Sequence, residues 1–120
     1  MKESVLSTKS FAFSLRIIKL YKYMSIELKE FVLSKQVLRS GTSVGANIEE
    51  SVHAQSKADF INKLSIAQKE AIETNYWLRL LRESDYLTAE QAVSLLADCE
   101  ELQRLLTSSI KTAKQNLKRG

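Results

Sequence analysis

Glu50-Ser51-Val52-His53 has the Glu-x-x-His spacing that puts a carboxylate and an imidazole on one helix face, as in di-metal helix bundles. Such a centre needs a second copy of the motif and two more inward glutamates. His53 is the only histidine in the chain, so the second copy cannot be supplied. Neither a metal nor a cofactor is expected. Glu70 and Glu73 lie three apart and could serve acid–base chemistry. Nothing near them in the sequence supplies a pocket, and ion pairing with Lys69 or a neighbouring helix is the expected role. Gly41-Thr42-Ser43-Val44-Gly45 is no phosphate-binding loop, because the glycines are too close and no Lys-Ser/Thr follows the second. Serines are plentiful, but no His/Asp arrangement activates one. Cys99 is the only cysteine, which excludes an intramolecular disulfide and a thiolate metal site. No catalytic set emerges, and the chain reads as non-enzymatic.

The remaining chemistry is charge. The formal net charge is +4, unevenly spread. Residues 1–48 carry eight Lys/Arg against three Asp/Glu, residues 49–101 five against eleven, and residues 102–120 five and no acid. Clustered cations suffice to hold the phosphates of a nucleic acid. The candidate contacts are Arg16, Lys19, Lys22, Lys111, Lys114, Lys118 and Arg119. Ordinary solvated helix faces also carry such charges.

The elements that must position these residues are helices. The chain has 120 residues, no proline and three glycines, which suits long helices and starves β-hairpins of turns. Residues 1–6 read as a short frayed arm. Phe13, Ile17, Leu20 and Met24 make one stripe of a first helix, and Phe11, Leu15 and Ile18 a second beside it. So wide an apolar face means either deep burial or a second face for a neighbouring subunit. A turn is expected near Glu27–Glu30. The second helix carries Val37, Val44, Ile48 and Val52 straight through Gly41 and Gly45. Two helical glycines give up roughly 1 kcal/mol each relative to alanine, so close approach of another helix is expected there. Asn47 should be partly buried and fix register between helices.

Ser56 followed by Asp59 marks the start of the third helix. Phe60, Leu64, Ala67, Ala71, Thr74, Leu78 and Leu81 then alternate steps of four and three, the seam of bundle packing. Trp77 lies beside it and reads as core or interface packing. Thr88-Ala89-Glu90-Gln91 is a second capping box. It opens a fourth helix with Ala92, Leu95, Cys99, Leu102, Leu106, Ile110, Ala113 and Leu117 on one face. Cys99 is then a small buried apolar residue.

Four helices at about 8–28, 31–54, 57–84 and 89–117, joined by short turns, predict an all-α, antiparallel up-down-up-down four-helix bundle. Residues 1–120 would form a single domain. In that topology the start of the first helix and the end of the fourth share one end. The two basic runs are therefore expected to meet there.

Gln36-Val37-Leu38-Arg39-Ser40-Gly41-Thr42-Ser43-Val44-Gly45-Ala46-Asn47-Ile48-Glu49-Glu50 resembles the signature of the bacterial S23-type four-helix-bundle proteins, encoded in intervening sequences of 23S ribosomal RNA genes. Lys57 to Ala67 and Lys69 to Leu81 match that family's third helix, and the resemblance covers roughly residues 9–117. It implies a homopentamer. It also implies kinship with the accessory variability protein of diversity-generating retroelements, a basic barrel that associates with a reverse transcriptase and nucleic acid. Where the family often has a glycine, this chain has Ser51.

The expected function is a homo-oligomeric bundle associating with RNA or DNA through a basic surface. The alternative is a protein-interaction scaffold with no nucleic-acid role. Phe11, Leu15, Ile18 and Trp77 are the expected subunit interface. No apolar run reaches the ~18 residues of a membrane span, and the N-terminus lacks a signal peptide's apolar core. A cytoplasmic location is expected.

Overall fold

The computed structural model describes residues 2–119, and they fold as four antiparallel helices. These are α1 (Lys2–Lys22), α2 (Leu33–Val52), α3 (Lys57–Glu83) and α4 (Ala89–Arg119). Each helix packs on its sequence neighbours, and α1 closes onto α4. The result is a rod of 51 × 22 × 20 Å. No helix among the described residues is long and apolar enough to cross a membrane.

The seams follow the expected steps of four and three, except that on α2 Ser51 takes the place of Val52, which is exposed. On α2, Ser34, Val37, Gly41, Val44, Ile48 and Ser51 are buried, and on α3, Leu64, Ala67, Ala71, Thr74, Leu78 and Leu81. The α2 helix runs through Ser51, whose hydroxyl donates to the Ile48 carbonyl (2.6 Å). Cys99 is fully buried, its Sγ 3.3 Å from the Ala71 carbonyl oxygen. Burial first, and the nearby Glu100 and Asp98 charges second, push its thiol up to about 12, so it stays protonated and inert.

Glycine does what the second helix requires of it. A Cβ on Gly41 would stand 2.8 Å from Cγ1 and Cγ2 of Ile17, and one on Gly45 3.1 Å from the Ser14 hydroxyl. Helix α1 therefore lies against the bare backbone of α2.

Several expectations are corrected. The arm at residues 1–6 is helical from Lys2, with Leu6 buried (Met1 lies outside the described residues). The seam of α1 runs Leu6, Ser10, Phe13, Ile17, Leu20, Met24, and Ser10 can occupy it because its hydroxyl donates to the Ser7 carbonyl (3.3 Å). The turn after α1 begins as a π-helical stretch, Tyr23–Glu27, and Lys29 then takes a left-handed φ of 54°. Asn47 does not bridge helices. Its amide donates to the Ser43 carbonyl one turn back (2.9 Å). On α4 the seam passes through Ser109 rather than Ile110, and Leu117 is exposed, because the last turns of this 31-residue helix run along the bundle's edge.

Candidate nucleic-acid interface

A serine N-cap fixes where α3 begins and a reciprocal capping box where α4 begins, and hence where their cations stand. Ser56 accepts from the Asp59 backbone N–H (3.0 Å), and the Asp59 carboxylate accepts from that of Gln55 (3.4 Å). Thr88 accepts from the Gln91 backbone N–H (3.1 Å), and Gln91 Oε1 accepts from that of Thr88 (3.0 Å).

The candidate cations do not form one region. Arg16 lies in the second half of α1 and so meets the first half of α4. Its guanidinium pairs with Asp98 (2.6 Å) and donates to the Ser94 hydroxyl (2.9 Å) and carbonyl (3.3 Å). Lys9 pairs with Glu101 (3.3 Å). Lys19 shares a groove of about 400 Å³ with Arg16, Leu20 and Tyr23, and Lys22 ends the helix. Lys111 lies 13 residues beyond Asp98 on α4, about 20 Å away at 1.5 Å per residue. Lys111, Lys114, Lys118 and Arg119 thus occupy the other end of the rod. The expected merger fails because Arg16, Lys19 and Lys22 sit at the far end of α1 from its N-terminus.

The α4 cations form the better-built surface. Lys111, Lys114 and Lys118 line a groove of about 500 Å³ between α3 and α4, with Gln68, Thr107 and Ile110 among its walls. Gln68 Nε2 donates to the Gln103 carbonyl (3.2 Å) and to the Thr107 hydroxyl. Among the described residues, none of Lys111, Lys114, Lys118 and Arg119 pairs with an acid.

The carboxylates weighed for catalysis are already engaged. Arg39 of α2 bridges Glu70 (3.2 Å) and Glu73 of α3, and the Trp77 indole N–H donates to Glu73 (3.0 Å). The Trp77 hydrogen bond first, and Arg39 second, hold the Glu73 carboxyl below its ordinary range. Glu50 pairs with Lys63 (2.8 Å), and His53 lies 3.4 Å from Glu49 at the end of α2. Sequence reasoning did not single out Arg39.

The expected interface residues divide. Phe11, Leu15 and Ile18 form an exposed apolar strip on α1, at 68%, 55% and 36% exposure. Trp77 is half-buried against the core, edge-on to Tyr76 with ring centroids 5.3 Å apart.

A family model described as 23S rRNA-intervening sequence protein matches residues 2–108. Among solved structures, the chain is similar to a protein of unknown function from the S23 ribosomal protein family of Bacteroides thetaiotaomicron. That protein is 58% identical, with a TM-score of 0.91, over 92% of this chain and 99% of the other. No curated protein matches.

Proposed function

We propose, on the premise that the chain belongs to the 23S rRNA-intervening sequence protein family, that it is a non-enzymatic, self-associating bundle that holds RNA at the basic end of α4. The observation that supports this most is the absence of acid partners at Lys111, Lys114, Lys118 and Arg119 among the described residues, while Lys9 and Arg16 are neutralised by α4 itself. Unpaired cations are free to displace the counterions of a polyanion, which is where salt-dependent affinity comes from. These four residues lie beyond the stretch that matches the family model, so their support is geometric. A binding role fits better than a catalytic one because Glu70 and Glu73 are held by Arg39 and Trp77.

Fluorescence anisotropy of a labelled structured RNA, titrated with protein at several salt concentrations, tests this. Binding should weaken steeply as salt rises, and Lys114→Glu with Lys118→Glu should reduce it. A flat titration at low salt would remove the RNA role. The second reading, a protein-interaction scaffold, would then stand on the exposed strip of Phe11, Leu15 and Ile18.

A further inference from the structure

The geometry points to a single-stranded phosphate chain, rather than a duplex, as the occupant of the α3–α4 groove, an inference that rests on the RNA role proposed above. The groove lies between two neighbouring helices on one side of a rod only 22 × 20 Å in section, so it is narrow enough to hold one strand. A duplex, whose major groove alone is about 12 Å wide, reaches only the rim. Lys111, Lys114 and Lys118 repeat at helical spacing along one wall. They span about 10 Å of helix axis, three steps of the ~3.4 Å axial spacing of a stacked strand, so each lysine can meet its own phosphate.

The lining defines what is read. Among its described residues it has no carboxylate to repel phosphate and no aromatic ring on which a base could stack. Strand-binding proteins that hold bases use such rings. Here the contact is to the phosphates, and sequence preference should be weak. The contributions along the wall are unequal. The free carbonyls at a helix C-terminus carry partial negative charge, which falls off within the last turn. Lys118 lies in that turn, whereas Lys111 and Lys114 lie further in, so they should carry more of the binding.

The test is a titration of the full chain with a labelled, unstructured uridine oligonucleotide and with an RNA hairpin of equal phosphate count. Three engaged phosphates predict that log K falls with log salt at a slope near −2 for a single strand. The oligonucleotide should bind more tightly than the hairpin. Lys111→Gln with Lys114→Gln should flatten the slope by about 1.4. Lys19→Gln with Lys22→Gln, at the other end of the rod, should leave it unchanged, and circular dichroism should show both variants equally helical. Inorganic polyphosphate should compete for the same site. Preference for the hairpin, or failure of polyphosphate to compete, overturns the inference. So does RNA binding whose slope ignores the Lys111/Lys114 pair, which would leave the RNA role intact but move it elsewhere. Absence of any RNA binding at low salt removes both.

Discussion

Gly41 shows how much one absent methyl can matter. Alanine is the better helix former by about 1 kcal/mol, so on α2 alone Gly41→Ala should stabilise. In the bundle its Cβ would overlap two carbons of Ile17, a β-branched and fully buried side chain that cannot rotate away. Overpacking typically costs about 1–3 kcal/mol, so the net effect should be destabilising. Gly45→Ala should be nearly neutral, because its Cβ meets chiefly a serine hydroxyl that can turn. Urea denaturation of the two variants should rank them in that order, and Ile17→Ala, which removes both clashing carbons, should cost less in the Gly41→Ala background than in the wild type. Equal midpoints would refute the close-approach account. Glu73 gives a second residue-scale prediction. Its charged form is held by the Trp77 indole N–H and Arg39, so its folded value lies below the unfolded one. The stabilisation is complete above the ordinary glutamate value of about 4.3 and is lost as pH falls through the lower folded value. Trp77 is the only tryptophan, so its emission reports the step directly. The midpoint should lie below about 4.3 and rise in Arg39→Met; a wild-type midpoint at or above the ordinary value would contradict the geometry.

The helix ends are where local chemistry shows most plainly. The C-terminus of α3 closes with the Tyr86 backbone N–H on the Leu81 carbonyl (2.9 Å) and that of Asp85 on the Arg82 carbonyl (3.2 Å), the Schellman pattern. Asp85 holds the left-handed position at φ 67°, which glycine adopts without steric penalty. Asp85→Gly should therefore raise stability, by up to ~1 kcal/mol, and Thr88→Ala three residues later should lower it by ~1 kcal/mol through loss of the cap. Thermal melts of both variants check the opposite signs. Elements of this kind were legible beforehand: Ser56 and Thr88 announce their helices because a cap is a contact between near neighbours in sequence. The α3 seam was legible because periodicity alone defines a face. The start of α1 was not, since Ser10 interrupts the apolar stripe and only its local hydrogen bond lets it be buried. Nor was the end of α4, where Ser109 takes the seam beside a partly buried Ile110 and Leu117 keeps an apolar spacing although it is exposed. Glu30 was also hidden. Its carboxylate accepts from the backbone N–H of Ser34 (2.8 Å), Leu33 (3.0 Å) and Val32 (3.2 Å) and so caps α2 from the preceding loop, a contact that no standard capping spacing flags.

At the scale of the whole molecule, an antiparallel bundle decides which charges can meet. Topology brings the start of α1 and the end of α4 together, but Arg16, Lys19 and Lys22 belong to the wrong half of α1, where Arg16 pairs with Asp98 of α4. The bundle buries one face of each helix, and on α1 this leaves Phe11, Leu15 and Ile18 uncovered at spacings of four and three. A strip with helical periodicity on an outer face is what a second helix would cover. Assembly would also multiply the α4 grooves, since each copy carries one, and several weak phosphate contacts on one polyanion reinforce each other. Light scattering of the purified protein should therefore give a mass well above the 13.6 kDa of one chain. Leu15→Glu places a charge in the middle of the strip without touching the core, because Leu15 is exposed in the single bundle. The variant should stay helical, fall to the mass of one chain, and bind long RNA more weakly than the assembled form while keeping the same affinity for a short oligonucleotide. If Leu15→Glu remains assembled, the interface lies elsewhere. If it dissociates with no change in affinity for long RNA, assembly and RNA association are separate properties of the bundle.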